Sequence, residues 1–543
     1  MILGVLSGAA SGALLISFRA MVEWILSSTV TPTHPEAFET LAWPVRLLLP
    51  IGGALLVVLL FARLGSAHVQ VGVVHVMERL AYHQGAMPWR NALAQYVGAV
   101  IALCSGHSMG REGPGVHLGA AAGSWVGQGL GVPNNSMRVL IACGTAGSIA
   151  ASFNTPIAGV IFAMEVVMME YTIVGFAPVI VSAAVAAWMS QAVYGDAAAF
   201  AVPALELNSL LELPLIVGCG CAIGLLAALF VRSTATLQRA AVAWPLWRRG
   251  VLAGVMMGAA AVVAPEVMGI GYDTVEATLH NRFAISALLL ILVTKLVAST
   301  ICAGLGMPGG VIAPMLFMGA SAGAALGLLG QAVAPDLSAS PAFYAMLGMG
   351  AMMAACLHAP LAGLMAIVEL TQNVKLILPG MVCIVSAVLI ARSLLRTEPM
   401  FIASLKVRGA DYVTDPVALA LSRSGITSRM NASFKRVTHL PETDEDWAVL
   451  NKPSVRWLVH EAGQETRLYL VSPAADGAAP RSAAWQAECL VSAEVSVRAT
   501  VQEGRERLSA QGAEGLIVRR LDGRVCGVVT AEMLGATSAP KAV

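Results

Sequence analysis

The sequence predicts an all-α polytopic membrane protein with a small α+β tail, and three observations support this fold class. Of the 543 residues, 57% are hydrophobic and 12% are charged, and the mean hydropathy is +0.75. A chain of this composition has more apolar surface than a soluble core can bury, so the surplus must face lipid. The other two observations are a change in charge density near residue 405 and an internal duplication.

Charge separates the chain into two parts. Residues 405–543 hold 17 of the 33 Lys and Arg and 16 of the 32 Asp and Glu. We therefore expect a transmembrane domain over 1–404 and a cytoplasmic domain over 405–543. Met1–Ile16 has no basic region before it and is expected to be a first helix rather than a cleaved signal. The net charge of +1 offers no basic field for nucleic acid.

Apolar runs recur along the first part, and many are too short or too interrupted by Gly and Pro for the ~20 residues of a straight span. The runs are Leu41–Leu64, Ala92–Cys104, Val139–Val167, Ile173–Ala192, Leu215–Phe230, Ala284–Cys302, Ala345–Leu370 and Ile377–Ile390. Helices that stop inside a membrane are tolerated only where they are buried in protein or line a watery cavity. Broken helices are therefore expected.

The chain is internally duplicated. "CGTAGSIAASFNTPIAGVIFAMEV" (143–166) aligns without a gap with "LGMGAMMAACLHAPLAGLMAIVEL" (347–370) at an offset of 204 residues. Upstream, "GAAAG" (119–123) aligns with "GASAG" (319–323) at an offset of 200. The two repeats are expected over about 1–200 and 205–404. Duplicated halves with interrupted helices are typical of a transporter whose substrate site lies at the repeat interface.

Each repeat contains a glycine-rich stretch that predicts a helix start. "SGHSMGREGPGVHLGAAAG" (105–123) carries Arg111 and Glu112, and "GMPGGVIAP" (306–314) is its counterpart. A helix N-terminus presents unpaired N–H groups and the positive end of the dipole, and glycine lets an anion approach the backbone. We expect the two helix starts to converge from opposite repeats and to form an anion site that needs few full positive charges. Glu112 would compete with such an anion until displaced or protonated, and so act as a gate. The alternative is that Glu112 only pairs with Arg111 or caps the helix.

These motifs carry a family resemblance. "GREGP" (110–114), "GGVIAP" (309–314), the paired segments ending in Glu165 and Glu369, and "EPMFIASLKVRG" (398–409) resemble the chloride-channel (CLC) family of anion channels and anion/proton exchangers. The resemblance implies a homodimer of inverted repeats with one anion pathway per subunit, and Glu112 as the external gate. It assigns the anion-binding positions to Gly110, Arg111, Gly113, Pro114, Val71, Gly72, Gly310, Val311, Ile312, Ala313 and Phe401.

The chain departs from the family at the central anion site. Ile312 replaces an aromatic residue, and Phe401 replaces a tyrosine whose hydroxyl binds the anion. The serine of the first family motif falls on Val71, followed by Gly72; a competing register places it at Ser66. With both hydroxyls absent, we expect the site to use backbone N–H groups and to prefer chloride less strongly over other anions. The physiological anion stays open.

Proton coupling is expected to be weak or absent. The exchangers of the family carry an internal glutamate directly after the position of Glu165, and Val166 occupies that position. Glu165 itself is expected to accept helix-end hydrogen bonds. His75, His107 and His117 lie near the gate and are expected to be core residues, with a relay as the alternative. A proton-coupled exchanger of the same family is the second interpretation.

The tail resembles a cystathionine-β-synthase (CBS) domain. Residues 490–535 contain an amphipathic helix, the strand "GLIVRR", a turn and the strand "VCGVVT" before a further expected helix, and about 430–475 resembles a degenerate partner. Thr530 is present, but Met533 replaces the acid that binds a nucleotide ribose in such domains. A structural, dimer-stabilising role is favoured over adenine nucleotide binding. No other cofactor and no metal is expected.

Two other classes of function stay in view. An intramembrane hydrolase would use Ser105 or Ser108 with His107, but residues so close in sequence do not face each other on a helix. A cation-coupled solute transporter would also have broken helices. Against these, the sequence favours an anion transporter in a bacterial-type inner or plasma membrane, with chloride or a related small anion, and protons as a second ion, among its partners.

Overall fold

The computed structural model describes residues 1–30, 36–65, 69–171, 173–196, 200, 209–333, 335, 338–410, 416–439, 457–462, 465–473 and 485–535. Most of these residues are helical. Within these ranges, nine helices are long and apolar enough to cross a membrane. The predicted fold class, a helical polytopic membrane protein with a small α+β tail, is therefore confirmed.

The chain divides into two compact units. One comprises Met1–Leu130 and Met137–Tyr412, and the other comprises Gly131–Ser136 and Val413–Val543. The first contains nearly all of the apolar helices, and the second contains all of the described strands.

The apolar helices follow the duplication. In the first repeat they are α1 Ile2–Ile25, α2 Trp43–Leu64, α3 Gly72–Tyr82, α4 Trp89–Cys104, α5 Glu112–Leu130, α6 Asn134–Phe153, α7 Pro156–Phe162 and α8 Ile173–Tyr194. In the second they are α9 Leu213–Ala241, α10 Leu246–Val263, α11 Tyr272–Leu279, α12 Ile285–Gly304, α13 Ile312–Val333, α14 Pro341–Leu357, α15 Pro360–Thr371 and α16 Ile377–Val388, followed by α17 Met400–Val407. The offset of 200 aligns the first residues of α5 and α13, and also those of α3 and α11.

The predicted long runs are broken at equivalent places. Asn154 follows α6 with φ +59°, and His358 follows α14 with φ +54°. Pro156 and Pro360 then begin α7 and α15. A left-handed residue ends a helix, and proline fits the first helical turn because it has no N–H to leave unpaired. Each long run is therefore divided into two helices, the second of which is shorter than the first.

Glycines let the helices of each repeat cross closely. A Cβ on Gly144 of α6 would lie 1.9 Å from the carbonyl oxygen of Gly119 on α5, and a Cβ on Gly119 would lie 2.2 Å from that of Gly144. In the second repeat, the equivalent distances for Gly319 and Gly348 are 2.3 and 2.2 Å. Backbones in contact at small residues are how membrane helices gain packing energy without a hydrophobic driving force.

The tail contains two sheets and two described helices. Its elements are α18 Pro416–Arg423, β1 Phe434–Val437, β2 Trp457–Ala462, β3 Glu465–Pro473, β4 Trp485–Leu490, β5 Ser492–Ser496, α19 Val501–Gln511, β6 Gly515–Arg519 and β7 Val525–Thr530. The sheet orders are β1-β2-β3-β4 and β5-β6-β7. The pairs β1/β2 and β5/β6 are parallel, and the other pairs are antiparallel. A capping box of Thr500 and Glu503 starts α19.

Most of the elements predicted for 490–535 are present. Helix α19 and strands β6 and β7 have the predicted order, but residues 531–535 form turns rather than the expected helix. The Thr530 hydroxyl accepts the Met533 N–H at 3.3 Å, so this turn closes on itself. Between strands β5 and β6, the carboxylate of Glu494 lies 2.7 Å from the guanidinium of Arg519 and raises the pKa of Arg519. The tail is held by local contacts of this kind.

The glycine crossings predict a stability effect. Gly144→Ala would place a Cβ inside the contact distance of a backbone oxygen, so we expect it to lower the stability of the folded protein by about 1–3 kcal/mol. The thermal unfolding temperature in detergent measures this effect. Gly218→Ala on α9 is the matched control, because nothing lies within 4 Å of the added Cβ. Equal unfolding temperatures for the two variants would contradict the close crossing.

Candidate functional site

The two glycine-rich loops meet and pair with each other. The Gly110 N–H donates to the Gly310 carbonyl oxygen at 2.7 Å, and the Gly310 N–H donates to the Gly110 carbonyl oxygen at 2.7 Å. A Cβ on Gly113 would lie 2.6 Å from the Gly310 Cα. The predicted meeting of two helix starts from opposite repeats is therefore present. The glycines let the two loops approach each other closely.

This pairing changes which N–H groups are free for an anion. The family resemblance assigned Gly110 and Gly310 to anion binding, but their N–H groups are used by the hydrogen bonds between the two loops. The first N–H groups of a helix have no partner within that helix. Helix α5 begins at Glu112 and helix α13 begins at Ile312, while Pro114 has no N–H. The N–H groups of Glu112 and Gly113 in α5, and of Ile312 and Ala313 in α13, therefore have no partner within their own helices.

Glu112 is buried at this junction with a phenol as its partner. Its side chain is 1% exposed, and Oε1 accepts a hydrogen bond from the Tyr272 hydroxyl at 2.5 Å. Arg111 instead donates to the Ser152 carbonyl oxygen at 3.1 Å and lies 5.5 Å from the centre of the Tyr272 ring. No ion pair joins Arg111 to Glu112 among the described residues. The alternative that Glu112 only pairs with Arg111 is therefore not favoured.

Sequence reasoning missed Tyr272. It begins helix α11, and the offset of 200 makes it the counterpart of Gly72, which begins α3. Each of these turns contains a left-handed glycine, but it is the first helical residue in the first repeat (Gly72, φ +81°) and the residue before the helix in the second (Gly271, φ +82°). The duplication could have identified this turn as the second-repeat equivalent of the predicted motif around Val71. It could not have shown that the phenol reaches Glu112, 160 residues away.

Two cavities flank Glu112. The first cavity, of about 570 Å³, is lined by residues that include Phe61, Val71, Gly72, Gln95, Met109, Gly113, Gln238, Arg249, Gly310, Val311, Ile312, Phe401, Ser404 and Arg408. The second cavity, of about 360 Å³, is lined by residues that include Arg19, Glu23, Glu36, Arg111, Ser152, Tyr194, Tyr272, Asp273 and Glu276. Gly113, which follows Glu112, lies on the first cavity, while Arg111, which precedes Glu112, and Tyr272, the hydrogen-bond partner of Glu112, lie on the second.

The first cavity collects most of the predicted anion-binding residues. Those that line it are Val71, Gly72, Gly113, Gly310, Val311, Ile312 and Phe401. Ala313, Pro114 and Gly110 are buried beside it, and Arg111 lines the other cavity. The Gly72 N–H is not free, because it donates to Oε1 of Gln95 at 2.6 Å. Gln95 was not predicted, and the competing position Ser66 lies outside the described residues.

Glu165 and Glu369 cap helices of the opposite repeat. Glu165 accepts the N–H groups of Leu361 at 3.3 Å and Ala362 at 2.7 Å, at the start of α15. Glu369 accepts those of Ile157 at 3.0 Å and Ala158 at 2.6 Å, at the start of α7. A carboxylate at a helix N-terminus is stabilised by unpaired N–H groups and the dipole. This geometry supports the structural role expected for Glu165.

Val166, which occupies the position of the internal glutamate in the exchangers, is apolar and buried. It belongs to the π-helical segment Ala163–Met168 that continues α7. Helix α3 packs against this segment. Valine offers neither a proton site nor a hydrogen bond, so a route at this depth has to use other residues.

Two of the three predicted histidines form a pair. His75 Nδ1 lies 2.8 Å from His117 Nε2, and both side chains are buried, with ring centres 5.1 Å apart. His75 is on α3 and His117 is on α5, five residues after Glu112. His117 Nδ1 has no hydrogen-bond partner among the described residues. All three histidines are buried, as expected of core residues, and the contact between His75 and His117 keeps the relay alternative open.

Ser105 and His107 contact each other, contrary to the expectation for residues so close in sequence. Ser105 Oγ lies 3.0 Å from His107 Nδ1, because Gly106 adopts φ +75° and the chain turns after α4 instead of continuing as a helix. The hydroxyl also donates to the Ile101 carbonyl oxygen at 2.7 Å. The predicted lack of contact was therefore wrong. Neither side chain lines one of the two cavities described above.

Comparisons with known proteins identify the family. The family profile described as "Voltage gated chloride channel" matches residues 53–392. The chain belongs to this family. A relative from Ralstonia nicotianae with the provisional name ClcB-like chloride channel protein is 33% identical over 399 residues, which cover 72% of this chain and 92% of the relative. The H⁺/Cl⁻ exchange transporter ClcA of Vibrio vulnificus is 33% identical over 313 residues, 56% of this chain and 67% of ClcA.

Solved structures share the fold. A slow cyanobacterial Cl⁻/H⁺ antiporter superposes with a TM-score of 0.67 at 24% identity, covering 75% of this chain and 97% of its own. A CLC-type fluoride/proton antiporter superposes with a TM-score of 0.61 at 23% identity, covering 72% and 94%. The predicted family resemblance is confirmed. The chain is an integral, multi-pass membrane protein of the CLC family, whose general function is anion transport.

The Tyr272 contact predicts a change in anion flux. Tyr272→Phe removes the donor to Glu112 and leaves the ring, and a hydrogen bond to a charged group contributes about 1.5–3 kcal/mol. We expect the Glu112 side chain to leave its site more easily, so that anion flux from liposomes at neutral pH rises by roughly tenfold. Tyr194→Phe is the control, because Tyr194 lines the same cavity but donates to the Ile16 carbonyl oxygen. Equal anion flux in the two variants would mean that the Tyr272 hydroxyl does not hold Glu112 in its site.

Proposed function

We propose that each chain transports chloride or a related small inorganic anion along a pathway gated by Glu112, as one subunit of a homodimer in a bacterial-type inner or plasma membrane. The observation that carries this proposal is the burial of the Glu112 carboxylate where two cavities approach each other, since Gly113 lines the first cavity and Arg111 and Tyr272 line the second. Both cavities reach the junction where the helix starts of the two repeats meet. An ion moving from one cavity to the other has to pass the position that Glu112 occupies.

The gate follows from electrostatics at the helix starts. Unpaired N–H groups and two converging dipoles favour one negative charge at the junction. The Glu112 carboxylate supplies that charge in the closed state, with Tyr272 as its fixed donor. Protonation removes the charge, and an anion can then take its place. Arg249 and Arg408 line the first cavity and provide positive charge that attracts anions toward the junction.

Proton-coupled exchange is the second candidate function, and the relatives favour it. ClcA of Vibrio vulnificus is named an H⁺/Cl⁻ exchange transporter, and similar folds are described as Cl⁻/H⁺ and fluoride/proton antiporters. These names point against the weak coupling that Val166 suggested. In the buried pair of His75 and His117, one imidazole nitrogen donates its N–H to the other, so a proton can pass between helices α3 and α5 along this hydrogen bond. We propose this pair as the proton route if exchange occurs.

The tail is proposed to be a cytoplasmic CBS-like domain with a structural, dimer-stabilising role. Strand β5, helix α19 and strands β6 and β7 form a compact unit with their own apolar core. The Thr530 hydroxyl is occupied by the Met533 N–H, and Met533 has no carboxylate for a ribose. Both observations favour a structural role over adenine nucleotide binding.

The gate proposal predicts the pH dependence of flux. In the parent, lower external pH protonates Glu112, so anion flux should rise as the pH falls. Glu112→Gln mimics the neutral form, so its flux should be as high at high pH as that of the parent at low pH, without a pH response. Anion efflux from liposomes, with the membrane potential clamped, measures both. Glu276→Gln is the matched control, because Glu276 lines the second cavity and should leave the parent's pH response intact.

The outcomes separate the candidate functions. If anion flux in Glu112→Gln still responded to pH, Glu112 would not be the gate. A parent that moves no chloride, nitrate, bicarbonate or fluoride, but takes up an organic solute with sodium, would replace the proposal with cation-coupled transport.

Coupling has a separate test. If the histidine pair carries protons, a chloride gradient should drive uphill proton movement in the parent, and His117→Phe should reduce that movement by roughly a hundredfold while anion flux continues. A pH electrode beside a chloride electrode records both ions. His107→Phe is the control, because His107 contacts Ser105 rather than the pair. Coupling that survives in His117→Phe would exclude this route, and a parent without uphill pumping would leave uncoupled transport.

A further inference from the structure

The first cavity contains a buried side-chain amide that the family resemblance does not assign. Gln95, on α4, is 0% exposed and lines the cavity. Its Oε1 accepts the Gly72 N–H at 2.6 Å. Its Nε2 has no hydrogen-bond partner among the described residues.

The orientation of this amide is fixed by its partner. A backbone N–H can only donate, so the oxygen of Gln95 has to face Gly72 and the NH₂ group has to face away from it. An NH₂ group carries two donors, and leaving a buried donor unpaired is costly. Buried polar groups without a partner in the protein are commonly satisfied by a bound molecule or ion. A molecule or ion bound next to Nε2 could therefore accept its hydrogen bonds.

The second repeat shows a different solution at the equivalent position. The offset of 200 places Lys295 of α12 opposite Gln95, and Lys295 is also 0% exposed. Its Nζ donates to the carbonyl oxygens of Val267, Gly269 and Ile270 at 3.1, 3.3 and 3.4 Å. The lysine is thus satisfied by the loop before α11. In the first repeat the corresponding donor, Nε2 of Gln95, is buried in the wall of the cavity without a partner among the described residues.

We propose that Nε2 of Gln95 donates a hydrogen bond to the transported anion in the first cavity and determines how tightly this site binds anions. This inference rests on the proposed anion transport through that cavity. The two hydroxyls expected from the family are absent at Val71 and Phe401, and the Gly72 N–H is occupied by Gln95 itself. The amide replaces these donors and, because its oxygen is held by Gly72, presents only N–H groups to the ion.

Charge in the same cavity supports an anion as the acceptor. Arg249 and Arg408 both line it, and Arg249 Nε has no hydrogen-bond partner among the described residues. Glu78 lies 4.0 Å from Arg408 and neutralises part of its charge. A fixed N–H donor under a positive potential suits a small anion better than a cation or a neutral solute.

The test compares two amides of the same cavity. Gln95→Met removes the donor and the acceptor, while Gln95→Glu keeps an oxygen for Gly72 and removes the donor, so it should fold even if the first does not. Gln238→Met is the matched control, because Gln238 lines the cavity but its Nε2 donates to the Ala303 carbonyl oxygen. Chloride binding to the purified full-length protein in detergent is measured by titration calorimetry, with thermal unfolding as the folding control.

We expect both Gln95 variants to bind chloride about tenfold or more weakly than the parent, and Gln238→Met to bind it as the parent does. Gln95→Lys restores a donor at a position whose counterpart already holds a lysine, and it should recover binding. Folded Gln95 variants with the parent's affinity would overturn the inference, as would an equal loss in Gln238→Met or no recovery in Gln95→Lys. A parent that neither binds nor moves any anion would instead overturn the proposed function.

Discussion

The pairing of Gly110 with Gly310 is the interaction on which the site depends. Two short hydrogen bonds join loops from opposite repeats, and each loop leads directly into a helix start. Any side chain at Gly113 or Gly310 would push the loops apart, since an added Cβ would lie 2.6 or 2.4 Å from backbone atoms. The pairing brings the N-terminal ends of α5 and α13 together. The carboxylate of Glu112 is the negative charge at this junction.

A second set of contacts joins the two repeats at the starts of α7 and α15. Glu165 and Glu369 reach across to cap α15 and α7, so each repeat supplies the carboxylate for a helix start of the other. These reciprocal bonds satisfy N–H groups that would otherwise be buried without partners in the membrane, where the cost is several kcal/mol. The short helices are thus stable because the other repeat completes them, and neither repeat could do this alone.

The two repeats diverged where their polar groups meet the cavities. Gly72 begins α3 without a side chain, while its counterpart Tyr272 brings a phenol to Glu112. Gln95 accepts a backbone N–H, while its counterpart Lys295 donates to backbone carbonyl oxygens. A symmetric scaffold therefore carries an asymmetric set of donors and acceptors. The asymmetry fits a pathway whose two ends meet different solutions.

The sequence by itself determined the membrane fold class, the duplication, the meeting of the two glycine loops and the position of Glu112, because composition, self-similarity and helix-start signals can be recognised along the chain without knowing which side chains pack together. Only the tertiary structure decided the partners. Tyr272 reaches Glu112 across 160 residues, His75 joins His117 across 42, and Gln95 uses the Gly72 N–H that had been expected to face the ion. Which donor meets which acceptor depends on how helices distant in sequence pack, and no periodicity along the chain encodes that.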